Sequence, residues 1–205
     1  MLPPNHVMPS KSKSIESSMQ QNKNHKKVRE LLRLYQNGAV FTAFDTETTG
    51  LSAHNDRLLE IGAVQFSKDG ILATYSQLIN PCRAIPYEAS QINNITHDMV
   101  QDCPTEQDIL PDFQKFIGNS ILVAHNANFD LKFINTALER HGHQILENQV
   151  EDTVKISRAI FPELQKYRLQ FLAQHFSINP GNAHRATDDA RVCMEVLLRC
   201  FQHLS

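Results

Sequence analysis

Residues 26–36, KKVRELLRLYQ, place Val28, Leu31, Leu32 and Tyr35 at helical spacing, and Asn37-Gly38 follows as a stop. Three strand patterns come next. AVFTAFDTET (39–48) is apolar and then alternates, while RLLEIGAVQFS (57–67) and ILATYSQLINP (71–81) are joined by KDG, a hairpin signal. A mixed segment leads to a helix near 105–117. The apolar run SILVAHN (120–126) suits a strand buried on both faces. ANFDLKFINTALERHG (127–142) returns to the helical period and ends in glycine. A short strand near 149–152 and helices near 153–160, 168–176 and 186–203 complete the pattern. A three-strand meander followed by alternating strands and helices predicts an α/β or α+β domain with a mixed central sheet.

Composition narrows the function classes. Residues 1–25 are rich in Ser, Asn, Gln and Lys and read as a disordered, basic and polar tail, which leaves 26–205 as the folded domain. Residues 11–33 hold seven Lys/Arg and two Glu, so the rest of the chain carries a net charge of −7. Such a body is no general polyanion binder, and contact with nucleic acid should be local, with metal ions offsetting its carboxylates. No apolar run is long enough to span a bilayer, and the N-terminus lacks the apolar region of a secretory signal. Cys82, Cys103, Cys193 and Cys200 form no CxxC pair and read as reduced thiols of a cytoplasmic protein.

Three stretches carry candidate chemistry. In FDTETTG (44–50), Asp45 and Glu47 lie two apart near a strand end, so both face one side. They form either a solvated acidic face or, with a divalent cation relieving their repulsion, an oxygen-ligand site for Mg²⁺ or Mn²⁺. In LVAHNANFDLKF (122–133), Asp130 falls in the first turns of a helix that follows a buried strand. It is either a helix N-terminal acid or part of a site at the strand's C-terminal end. Asn126 at that turn is a cap or a substrate contact. In HRATDDA (184–190), helical phase puts Asp189 with Ala186, Cys193, Val196, Leu197 and Cys200, and turns Asp188 toward solvent. Asp188 lies three residues from both Arg185 and Arg191, enough for a surface ion pair. His184 can share a site with Asp189 only from the loop before the helix. Four carboxylates and a histidine fit two-metal phosphodiester hydrolysis, with the histidine as general base.

FDTETTGL, AHNANFD and HRATDDA resemble the three exonuclease motifs of the DEDDh 3′–5′ exonucleases, within the ribonuclease-H-like superfamily. The likeness extends over residues 38–203 and is strongest to epsilon-type proofreading exonucleases of bacterial replicative DNA polymerases. It implies a mixed five-stranded sheet, its first three strands antiparallel, with helices on both faces. It implies two divalent cations, Mg²⁺ or Mn²⁺, on Asp45, Glu47, Asp130 and Asp189, with His184 as the base. Asp188 matches no functional position. Thr48, Thr49, Gly50 and Leu51 would hold the 3′-terminal nucleotide, with Leu51 as a wedge. Glu88, Asn93, His125, Asn126 and Phe129 would be further substrate contacts, and Asn93 stands where the family usually has histidine. The implied reaction removes nucleoside 5′-monophosphates from single-stranded or frayed 3′ ends, with DNA favoured over RNA. An exoribonuclease and a non-catalytic polymerase- or nucleic-acid-binding module are the alternatives. A DNA polymerase is a candidate partner, but the chain ends at Ser205, almost at the end of its last helix, without a C-terminal tether. Monomer and homodimer both occur in the family. The implied location is the bacterial cytosol.

Overall fold

The computed structural model describes residues 11–205, with side chains from residue 23 onward. The chain runs through α1 (Lys11–Gln36), β1 (Phe41–Thr48), β2 (Leu58–Ser67) and β3 (Gly70–Leu78). Then come α2 (Tyr87–Asn93), α3 (His97–Val100), α4 (Glu106–Ile117), β4 (Ile121–Ala124) and α5 (Asn128–Arg140). It closes with β5 (Val150–Asp152), α6 (Thr153–Ile160), α7 (Leu169–His175) and α8 (Ala186–Leu204). The sheet order is β3-β2-β1-β4-β5. β1–β2 and β2–β3 pair antiparallel, and β1–β4 and β4–β5 pair parallel. This is the predicted mixed five-stranded sheet with its antiparallel meander.

Alternation along the strands sorts the core into two layers. Phe41, Ala43, Val64 and Phe66 pack with residues of α1, α6, α7 and α8. Phe44, Ile61, Ala63, Leu122 and Ala124 pack with residues of α4 and α5 on the other face. The same parity puts Asp45, Glu47 and Glu60 on the face that carries α8. Gly62 shares that face, and a Cβ there would lie 2.1 Å from the Thr187 nitrogen and 2.2 Å from the Ala186 carbonyl carbon. Only glycine lets the start of α8 rest directly on the sheet.

Two expectations need correction. The N-terminal helix starts at Lys11, where a disordered tail to residue 25 was predicted. Neither proline nor glycine interrupts residues 10–37, so a helix nucleated at its anchored end can propagate back. That end is held by Val28, Leu31 and Leu32 in the core and by His25, whose Nε2 lies 2.6 Å from the Ala159 carbonyl. The apolar stripe of this helix therefore buries on the chain's own body. Residues 1–10 of the predicted tail lie outside the described residues. The mixed segment after β3 contains α2 and α3, which at seven and four residues are too short to show a period. Among the described residues no helix is long and apolar enough to cross a membrane.

Candidate active site

The parallel pairing of β1 with β4 ends at Ala43↔Val123, because β4 stops at Ala124. β1 runs on past it, and its backbone needs another partner. Asp130, in the first turn of α5, supplies one. Its Oδ1 accepts the Thr46 backbone N–H at 3.0 Å and the Thr46 hydroxyl at 2.8 Å. The carboxylate thus extends the ladder where the strand is missing and is 3% exposed. This fixes Asp130 beside Asp45, which is half-buried at the open end of β1.

The third segment enters from the opposite layer. His184 lies in the loop before α8, as its predicted role required, with φ +63°. A non-glycine residue rarely adopts that conformation, and holding it costs about 1 kcal/mol or more. Asp189 is what holds it, its Oδ2 accepting the His184 backbone N–H at 3.1 Å. Asp189 is buried with Ala186, Cys193, Val196, Leu197 and Cys200, the face that helical phase selected. One ligand atom each of Glu47, His184 and Asp189 lie within 4.8 Å of one another. Of the four acids, the histidine ring therefore meets at least Glu47 and Asp189.

Electrostatics bring the remaining acids into the same cluster. Burial, then repulsion from Asp130, Glu47 and Asp189, pushes the Asp45 carboxyl well above the usual carboxylate range. Burial, then Asp189, Glu60 and Asp130, pushes Glu47 from 4.5 to about 8. Burial also lifts Asp130 to about 7, against the two donors from Thr46. Asp189 is raised by burial and partly relieved by His184. Buried, mutually repelling carboxylates are a donor set for hard divalent cations. Asp45, Glu47, Asp130 and Asp189 are oxygen donors of that kind, and a ring nitrogen of His184 lies within 4.8 Å of ligand atoms of Glu47 and Asp189.

Sequence reasoning missed the clamp behind these groups. Glu60, directly across from Glu47 in the β1–β2 register, is 1% exposed. Its Oε2 accepts the Arg185 Nε–H at 3.1 Å and the Ala186 backbone N–H at 3.1 Å, and its Oε1 accepts Arg185 Nη2–H at 2.9 Å. The fork locks the N-terminus of α8, and with it His184 and Asp189, onto β2. Arg185 is thus not the partner of Asp188. Asp188 pairs with its other expected partner, Arg191, whose Nη2 lies at 3.6 Å, and accepts the Asn182 backbone N–H at 2.9 Å. It closes the loop ahead of His184 rather than facing open solvent.

The expected substrate contacts divide. Leu51 is 88% exposed beside the acids' strand. Thr48 lies just before it, its hydroxyl donating to the Gly50 carbonyl at 2.6 Å. A Cβ on Gly50 would meet the Asp56 carboxylate at 2.5 Å, so that loop has no room for a side chain. Glu88 is exposed in the first turn of α2, Asn126 is exposed with φ +67°, and Phe129 is half-buried against Phe133. In three others the polar atoms are engaged within the protein. Thr49 is 2% exposed, its hydroxyl shared between Asp56 Oδ1 and the Arg57 N–H. Asn93 is 2% exposed, accepting the Ile95 N–H and donating to the Thr48 carbonyl and to Glu47. Both ring nitrogens of His125 are engaged, with the Thr153 hydroxyl and the Tyr167 carbonyl at 2.8 Å each. Burial lowers its basicity. Hydrogen bonds thus already engage the polar atoms of these three side chains, and the His125 ring lines the cavity beside Asp45.

Comparison with known proteins gives a consistent result. The exonuclease family model (RNase_T) matches residues 42–197. The DNA polymerase III subunit epsilon of Treponema pallidum (strain Nichols) is 52% identical over 166 residues, 80% of this chain and 77% of that protein. A PolC-type DNA polymerase III of Clostridium perfringens (strain 13 / Type A) is 42% identical over 164 residues, and the chain spans only 11% of its length. Among solved structures, exonuclease X in complex with 5′ overhanging duplex DNA superposes with a TM-score of 0.63 at 30% identity, covering 80% of this chain and 92% of that one. The chain belongs to the exonuclease family.

Proposed function

We propose that this member of the exonuclease family shortens DNA from its 3′ end, hydrolysing the terminal phosphodiester to release nucleoside 5′-monophosphates. The observation that carries the reading is the convergence of Glu47, His184 and Asp189 within 4.8 Å, on the sheet end where Asp45 and Asp130 also lie. Asp45, Glu47, Asp130 and Asp189 would hold two Mg²⁺ or Mn²⁺ ions. Such ions, when bound, offset the carboxylate charge and stabilise charge on the scissile phosphate and the leaving oxygen. His184 accepts the proton of the attacking water at a ring nitrogen. The new P–O bond forms as the bond to the 3′-oxygen of the penultimate nucleotide breaks. Asp189, through the His184 N–H, keeps the imidazole at the site mouth, and Glu60 with Arg185 keeps the helix that carries Asp189 in place. Leu51 and the Thr48–Gly50 turn receive the terminal nucleotide, with Glu88, Asn126 and Phe129 around it.

The epsilon and PolC-type relatives support a proofreading role beside a replicative polymerase in the bacterial cytosol. The test is degradation of 5′- and 3′-labelled single-stranded DNA, duplex DNA and RNA with Mg²⁺, Mn²⁺ or EDTA. A ladder growing from the 3′ end of single-stranded DNA, abolished by EDTA, is expected. Internal cutting or metal-independent turnover would overturn the reading, and faster loss of RNA than DNA would transfer it to a ribonuclease.

A further inference from the structure

A groove of about 460 Å³ opens from the acidic cluster toward α6 and α7. Asp45 and Asp189 line one part of it, and Asn126, Arg158, Tyr167 and Arg168 line the rest. The two arginines are exposed, and neither has a carboxylate within 4.0 Å among the described residues. That is unusual on this body, whose residues outside 11–33 carry a net charge of −7. Arginine is the side chain suited to phosphate, because its planar fork meets two oxygens at once.

The arginines are also held in place. The Arg158 guanidinium carbon lies 5.3 Å from the centre of the Tyr167 ring, an attraction that leaves its N–H donors unspent. The Tyr167 hydroxyl donates to the Phe161 carbonyl at 2.7 Å, pinning the ring. Tyr167's own carbonyl meets Nε2 of His125 at 2.8 Å, which ties the segment bearing Arg168 to the residue that follows β4. His125 thereby sets the distance between the basic groups and the acids, a positioning role for a residue whose nitrogens are closed to substrate.

The geometry points to a track for the strand upstream of the scissile bond: Arg158 and Arg168 each bind one backbone phosphate of a single-stranded 3′ segment whose terminal phosphodiester lies at Asp45 and Asp189. This rests on the exonuclease reading above. Backbone contacts of this kind position a strand without reading its sequence.

The test compares the full chain with Arg158→Ala, Arg168→Ala and the corresponding Lys variants. One substrate is a 12-nucleotide oligothymidylate. The other is thymidine 5′-(p-nitrophenyl phosphate), which has no upstream phosphate. The ratio of kcat/KM on the 12-mer to that on the ester should fall about tenfold for each alanine variant and recover in part with lysine. Anisotropy titrations of the labelled 12-mer in EDTA should show each alanine lowering the salt slope of log K by about 0.7, as for one lost phosphate contact. An unchanged ratio and salt slope would overturn the track, and so would equal losses on both substrates. If the native chain hydrolyses neither substrate, the exonuclease reading fails by itself, and the anisotropy slopes still decide for or against the groove.

Discussion

Glu47→Gln should stabilise the metal-free protein, and do so chiefly at neutral to alkaline pH. Glu47 is 9% exposed, and burial followed by Asp189, Glu60 and Asp130 raises it from 4.5 to about 8. Because its value in the fold lies above that in the unfolded chain, the folded state holds the proton more tightly. That contribution is fully present below pH 4.5 and is lost as pH rises through about 8. At about 1.4 kcal/mol per pH unit, the charged carboxylate costs about 4 kcal/mol at pH 8 and about 1 kcal/mol at pH 5. Glutamine keeps an oxygen for the Asn93 amide and removes the charge. In a domain of this size about 2–4 °C of Tm accompanies each kcal/mol. Thermal unfolding followed by circular dichroism in EDTA should therefore place the variant about 10 °C above the native protein at pH 8 and within a few degrees of it at pH 5. Millimolar Mg²⁺ should raise the native Tm and close most of the gap. A variant that melts below the native protein at pH 8, or a gap that ignores pH, would refute the reasoning that the acids are mutually repelling and await cations.

The other predictions concern the frame around that cluster. Asp189→Ala removes a proposed ligand and the acceptor for the His184 N–H, and should reduce exonuclease activity about 10²-fold or more. Asp188→Ala loses one loop hydrogen bond and a partly exposed ion pair, costing about 1 kcal/mol in denaturant unfolding and leaving most activity in place. Equal loss of activity at 188 and 189 would contradict both placements. Gly62→Ala sets a methyl group 2.1 Å from the Thr187 nitrogen and should cost about 3 kcal/mol or more, with activity falling as α8 lifts off the sheet. Glu60→Gln leaves Arg185 without its carboxylate and should cost about 3 kcal/mol, the lower end for a broken buried pair because Arg185 is a third exposed. Urea midpoints read both, and a neutral effect at either position would deny the clamp.

How much of this was legible in the sequence depends on whether a residue's partner lies within one element. Asp45 and Glu47 share a face by strand alternation alone, and Asp189 was separated from Asp188 by helical phase alone. In each case one strand or one helix contains the information. His184 needed one further inference, that it precede the helix, and its φ of +63° with the Asp189 contact is the local signature of that position. Glu60 and Gly62 were illegible because LLEIGAVQFS is buried on nearly every position, so alternation there distinguishes no face. Their partners, Arg185 and Ala186, stand about 125 residues away and are brought near only by the packing of α8 on β2. The same limit applies to His125, Asn93 and Thr49, which the family resemblance implied as substrate contacts. Hydrogen bonds to Tyr167, Thr48 and Arg57 consume their polar atoms, and no local pattern announces those bonds.

These bracing contacts explain why the acids can be placed together at all. The unpaired segment of β1 is capped by Asp130, the open start of α8 is fastened by Glu60, and the turn after β1 is tied down by Asn93 and Asp56. Each fastening uses a polar group that is itself satisfied, and among the described residues no buried side-chain nitrogen or oxygen lacks a partner. The strain in the cluster is therefore electrostatic and not a shortage of hydrogen bonds. Divalent cations can relieve that strain without moving the backbone, so metal binding should leave the fold in place and raise its stability. Amide hydrogen exchange with and without Mg²⁺ would read this as slower opening around β1 and the start of α8, with the α4–α5 layer unchanged. Protection gained uniformly across the chain would instead mean that the cations fold the domain, and the fastenings described here would not suffice to hold it.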